Sequence, residues 1–189
     1  MSTLLGEGKL NQITDGLKET KNIEGVVFEC GVYKGGSALY IANTLIELDS
    51  KKEFHIFDSF CGMPSATEYD NYHKKDDFND TSLQSVATLL SGKGVVIHEG
   101  FIPDTFSEVS NVNKVSFVHI DLDLYEGYKY TLEFVYPKMD DGAVMILDDY
   151  GSSSCQGAVK AVNDFLSDKI ELPKKVCGTQ YKIIKGEEG

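Results

Sequence analysis

The chain has no arginine and no tryptophan among its 189 residues. All 18 basic residues are lysines, set against 30 acidic ones, for a formal charge of −12. Specific readers of nucleic acid depend on the bidentate guanidinium fork and on a basic surface, so no nucleic-acid partner is expected. Long apolar runs are missing too. The longest span five residues, Ala38–Ala42 and Ala143–Leu147, where a membrane helix needs about 20. The first residues carry neither the basic nor the apolar segment of a secretory signal, so a cytoplasmic chain without membrane attachment is expected. Cysteine is scarce: Cys30, Cys61, Cys155 and Cys177 form no CxxC pair. They are read as buried free thiols rather than disulfides or a zinc site. A chain of this length buries roughly 70% of its unfolded surface, so one core suffices without staples.

What is present is alternation. Leu10, Ile13 and Leu17 recur at helical spacing, giving a short N-terminal helical segment within residues 1–24. Strand-like runs follow at Gly25–Cys30, Phe54–Phe60, Val95–His98, Val115–Leu122 and Ala143–Leu147, with two late strands near Lys174–Cys177 and Tyr181–Lys185. Helical patterns separate them: one capped by Ser37, then about Asp80–Leu90, Asp104–Val109, Gly127–Tyr136 and Gln156–Ser167. This order predicts a single α/β domain, a mainly parallel sheet with helices on both faces. The long irregular stretch 61–79 is a candidate lid.

In such a sheet, ligands bind beyond the carboxyl ends of the strands. Those ends read Glu29-Cys30-Gly31, Asp58-Ser59, His98-Glu99-Gly100-Phe101, His119-Ile120-Asp121-Leu122-Asp123 and Asp148-Asp149. Gly31, Gly35 and Gly36 allow a tight turn but lack the GxGxxG spacing, and Glu29 would repel a pyrophosphate. A ligand with a cationic centre suits Glu29 better, namely the amino group and sulfonium of S-adenosylmethionine. Asp58 then falls where ribose hydroxyls would be held. Asp121 and Asp123 share a face if their strand persists, and Asp148 and Asp149 end the neighbouring one. With only Lys129 near in sequence, these oxygens call for a hard divalent ion, Mg²⁺. His119 is expected to face away from Asp121 as a core histidine, and His98 has no partner pattern. Of the tyrosines Tyr125, Tyr128, Tyr130 and Tyr136, only Tyr125 is expected near the acidic site. A nicotinamide or flavin oxidoreductase, a silent cofactor-binding module and a metal-dependent hydrolase are the rival readings on this fold.

Taken together, Glu29–Ser37, Phe57–Pro64, Gly100-Phe101 with Asp104-Thr105-Phe106, His119–Tyr125, Tyr136-Pro137, Asp141-Gly142-Ala143, Asp148-Asp149-Tyr150 and Gly157-Ala158 with Ala161-Val162 and Phe165 resemble the macrocin O-methyltransferase (TylF-type) family over about residues 23–168. The resemblance implies a Rossmann-like class I methyltransferase with a seven-stranded sheet, dependent on S-adenosylmethionine and Mg²⁺. Its acceptor would be a hydroxyl of a small molecule, a sugar or glycosylated natural product; a homo-oligomer stays open. It also implies roles. Glu29 and Gly31 would hold the methionine part of the cofactor, with Gly35 and Ser37 lining its loop. Asp58 and Ser59 would hold the ribose, and Gly100 and Phe101 would flank the adenine. Asp121, Asp148 and Asp149 would bind the metal. Asp121 would be the base on the acceptor hydroxyl, with Asp123 behind it.

Overall fold

The computed structural model describes residues 3–188. The elements run α1 (Glu7–Glu19), β1 (Val26–Cys30), α2 (Gly36–Glu47), β2 (Phe54–Asp58), α3 (Leu83–Leu89), β3 (Val95–Glu99), a 3-10 helix (Asp104–Val109), β4 (Val115–Ile120), α4 (Tyr125–Val135), β5 (Val144–Leu147), α5 (Gln156–Leu166), β6 (Lys174–Cys177) and β7 (Gln180–Ile184). The sheet has seven strands in the order β3-β2-β1-β4-β5-β7-β6. The first five pair in parallel, and β7 runs antiparallel to both β5 and β6. The expected mainly parallel, seven-stranded sheet is therefore present.

Strand alternation sends each strand's residues into two separate cores. Val27, Phe117, Val144 and Ile146 pack with Ile13 and Leu17 of α1 and Ile41 of α2. Phe28, Val118, Ile120 and Leu147 pack on the opposite face with Tyr128 and Leu132 of α4 and Ala161 and Val162 of α5. Each fully enclosed large side chain contributes about 1.5–3 kcal/mol. No helix among the described residues is long and apolar enough to cross a membrane.

Local chemistry shifts several boundaries. The turn before α2 is closed by Gly35 in a left-handed conformation at the N-cap, and Ser37 is buried inside the helix rather than capping it. Helix α3 begins at Leu83, where the Ser82 side chain accepts a hydrogen bond from Ser85 N–H. No two cysteines are joined among the described residues, and only Cys30 and Cys155 are buried; Cys61 is exposed.

Candidate active site

At the carboxyl ends of β1, β2, β3, β4 and β5 lies a cavity of about 340 Å³, within the range of small-molecule sites, roughly 300–1,000 Å³. Gly31, Ser37, Asp58, Ser59, Gly100, Phe101, Asp121, Asp123 and Asp148 line it, with Leu4, Leu5 and Lys9 closing one side. Nine of the twelve expected site residues thus line one space; Glu29, Gly35 and Asp149 do not. Gly31 is obligatory. Its φ is +87°, and a Cβ there would stand 1.8 Å from the Asp121 carbonyl oxygen. That absence of a side chain is what lets the ends of β1 and β4 close together.

Asp58 holds the first turn as well as facing the cavity. One oxygen accepts the Val32 and Tyr33 N–H groups at 2.7 and 2.9 Å, and the other accepts Phe60 N–H at 2.7 Å. Phe101 stays 41% exposed at the rim, an unburied aromatic face of the kind that stacks on a planar ring.

The carboxylates divide between the two sides of the sheet. Val144 and Ile146 of β5 face α1 and α2, Met145 and Leu147 face α4 and α5, and the alternation carries on into Asp148 and Asp149 just past the strand. Asp148 therefore joins His119 and Asp121, whose ligand atoms all lie within 4.8 Å of one another. Asp149 turns the other way: its Oδ2 accepts Tyr128 O–H and Asp123 N–H, each at 3.0 Å. Asp149 is thus hydrogen-bonded on the α4 side while still close enough to Asp121 for its charge to be felt there. The same contact corrects the tyrosine reading, because Tyr128 is the one fully buried against an acidic group, while the Tyr125 hydroxyl reaches Asp164 at 3.4 Å.

Three further corrections follow from the geometry. Glu29 does not line the cavity. It is fully buried, its Oε1 lies 3.0 Å from His119 Nδ1, and its Oε2 has no partner. Glu29 and His119 are paired neighbours in β1 and β4, so their side chains emerge together on the α1 side. His119 in turn does not face away from Asp121, since residues two apart share a face. Its Nε2 makes no hydrogen bond and sits 3.6 Å from Asp148 Oδ1. Asp123 leaves the strand in a left-handed conformation (φ +58°), and its carboxylate meets Cys155 and His73 instead of Asp121.

The missing cation comes from far along the chain. Lys9 Nζ, on α1, bonds Asp148 Oδ2, while Lys129 lies over the Tyr130 ring. Gln180 Nε2 donates to Asp148 Oδ1 at 3.0 Å. Burial opposes ionisation of Asp148, but His119 and Lys9 outweigh it and hold the carboxyl below its usual range. Asp121 and Asp149 are pushed well up, by burial first and then by neighbouring carboxylates. Burial would neutralise His119, yet Asp148 and Glu29 raise it to about 10.

The 61–79 stretch is docked across this face. Asp70 Oδ1 accepts Tyr125 N–H at 2.9 Å, and Asn71 Oδ1 accepts Gln156 N–H at 3.3 Å, so consecutive residues cap the first turns of α4 and α5. The approach is close: a Cβ on Gly157 would meet Asp70 Oδ1 at 1.9 Å.

Residues 1–175 match the family described as Macrocin-O-methyltransferase (TylF). The chain belongs to that family. Its class is that of S-adenosylmethionine-dependent O-methyltransferases, which sets aside the oxidoreductase, hydrolase and silent-module readings. Mycinamicin III 3''-O-methyltransferase of Micromonospora griseorubida is 27% identical over 186 residues, covering 89% of this chain and 73% of that protein. Demethyldecarbamoylnovobiocin O-methyltransferase of Streptomyces niveus is 25% identical over 178 residues, covering 86% and 67%. Among solved structures, the O-methyltransferase NovP superposes with a TM-score of 0.86 at 24% identity, over 98% of this chain and 83% of that one. That last likeness speaks for the fold.

Proposed function

We propose that this family member methylates a hydroxyl of a sugar or glycosylated natural product, with Mg²⁺ held chiefly by Asp121 and Asp148. The observation that carries the reading is the convergence of Asp121 and Asp148 at a cavity that the Gly31–Ser37 turn also lines. Mycinamicin III and demethyldecarbamoylnovobiocin, named as substrates of two relatives, are the basis for the acceptor class.

The donor set fits such a cation. Asp121 accepts no hydrogen bond on its carboxylate among the described residues, and it is crowded by Asp148 and Asp149. Oxygen donors suit a hard ion. When bound, Mg²⁺ would acidify and orient an acceptor hydroxyl. Asp149 as a third ligand requires its carboxylate to leave Tyr128 O–H and Asp123 N–H. The remaining work falls to the chain. Asp121 takes the proton of a hydroxyl that the ion would already have acidified. Lys9 supplies positive charge to Asp148 in the absence of the ion. Asp58 keeps the first turn in place with two of its backbone hydrogen bonds, and its cavity-facing side is available to ribose hydroxyls. Glu29 acts on the site through His119 rather than by touching the cofactor.

Calorimetric titration with S-adenosylmethionine, with and without Mg²⁺, followed by turnover on glycosides bearing free vicinal hydroxyls, tests the reading. Cofactor binding should persist without metal while methyl transfer stops. Full activity after EDTA treatment would overturn the metal role.

A further inference from the structure

We propose that His73, Asp123 and Cys155 form a second cation site, distinct in chemistry from the oxygen-rich one, which takes Zn²⁺ and clamps the 61–79 stretch onto the body of the enzyme. The three side chains come from three separate segments: the long stretch, the β4–α4 connection and the residue before α5. Asp123 Oδ1 lies 3.4 Å from His73 Nε2 and 3.1 Å from Cys155 Sγ. All three ligand atoms fall within 4.8 Å of one another. A tetrahedral ion with bonds of about 2.0–2.3 Å to nitrogen, oxygen and sulfur needs donors roughly 3.3–3.8 Å apart, so the cluster requires only small adjustments to close on one.

The donors also select the ion. Mg²⁺ takes oxygen and holds its waters, so a set of one imidazole, one carboxylate and one thiolate is a poor match for it. The same set suits a borderline-soft ion such as Zn²⁺. Three protein ligands leave a fourth position for water. Enclosure favours tight coordination as well: Cys155 is 3% exposed, and the His73 side chain is 12% exposed. The free-thiol reading of Cys155 would then describe only the metal-free chain.

The placement gives the site a consequence. His73 is the member carried by the 61–79 stretch, which is also held by the Asp70 and Asn71 contacts at the starts of α4 and α5 and by packing of Tyr69 on Tyr125 and Phe78 on Tyr33. A metal bond there would add a stronger attachment than any of these. Asp123 N–H also donates to Asp149 Oδ2, so the clamp abuts the proposed Mg²⁺ centre without sharing a ligand with Asp121 or Asp148. Zinc in this position would hold the stretch shut across the cavity and slow exchange of acceptor and product.

The test uses the full chain in excess Mg²⁺. Equilibrium dialysis should find one tightly held Zn²⁺ per chain, weakened at least tenfold in both His73→Ala and Cys155→Ser. Cobalt substitution in the unaltered chain should give a thiolate-to-metal charge-transfer band, a result independent of whether a variant folds. Hydrogen exchange in 61–79 should slow with Zn²⁺ in the parent chain and not in His73→Ala. S-Adenosylmethionine binding in the same samples reports that each variant is folded. A cobalt spectrum without a sulfur band, or zinc affinity unchanged in both variants, would overturn the proposal and leave the cluster as a hydrogen-bonded latch.

Discussion

His119 on β4 and the His55–His98 pair on β2 and β3 are buried in one sheet, yet His119 and His55 are driven in opposite directions. His55 Nδ1 lies 3.0 Å from His98 Nε2, and each ring has a glutamate beyond it: Glu53 at 3.3 Å and Glu108 at 2.7 Å. Both glutamates are mostly in water, with side chains 71% and 54% exposed. Burial therefore wins at His55, helped by the charge of His98, and its pKa falls. At His119 burial pulls the same way, but Glu29 is fully enclosed and Asp148 nearly so, and the pKa rises to about 10. A carboxylate keeps a buried imidazole charged when water cannot screen it, and loses that hold when it sits at the surface.

The largest effect expected from this contrast is catalytic. Asp121→Asn, which removes the proposed base beside His119, should lower kcat by about 10²–10⁴-fold while cofactor affinity changes little. His98→Asn should leave kcat unchanged. Steady-state kinetics with calorimetry for the cofactor checks both, and equal losses in the two variants would erase the distinction between the clusters.

Next in size is stability. Glu29→Gln leaves His119 with Asp148 as its one buried carboxylate partner and should cost about 3–5 kcal/mol in urea unfolding, the scale for breaking a buried ion pair. A loss under about 1 kcal/mol would place Glu29 with the screened surface glutamates.

The pH dependence should then separate the two clusters by sign. His119 is raised from 6.5 to about 10. Its stabilisation in the metal-free protein is complete below the unfolded value and is lost as pH rises from there through the folded one. His55 is lowered, so its contribution is present above 6.5 and lost as pH falls through its folded pKa. Thermal melts of His119→Gln and His55→Asn against the parent chain should differ in slope on the alkaline and acid sides respectively. Slopes that change on the same side would break the comparison. The smallest effect belongs to Glu108→Gln, expected to cost less than about 1 kcal/mol because that partner is solvated; a larger loss by the same unfolding assay would show that exposure is the wrong criterion.

Much of this architecture was legible one strand at a time. The apolar runs marked all five parallel strands, and their ends named most of the cavity wall, including Gly31, Asp58, Ser59, Phe101 and Asp121. The reading went astray where it needed to know which way a side chain turned or what lay opposite. Asp148 and Asp149 were grouped because both end the strand beside that of Asp121, and the strand-end position does not show that Asp149 is held by Tyr128 and Asp123 N–H. Glu29 was assigned to the cofactor from its charge, its strand-end position and the family resemblance, with nothing local to reveal His119 beside it. Tyr128 looked like helix packing, since its O–H contact to Asp149 crosses from one element to another.

By itself, then, the sequence determined the order of strands and helices and the enrichment of carboxylates at strand ends. Both are carried by periodicity and by turn residues acting over a few positions. Tertiary structure alone decided the partners. Lys9 reaches Asp148 across 139 positions, and Glu29 meets His119 across 90. Those meetings depend on β4 lying between β1 and β5, and on α1 folding back over that face. Whether a carboxylate is paired, crowded or free is a property of that arrangement, because charges interact through the space and the dielectric between them rather than along the chain.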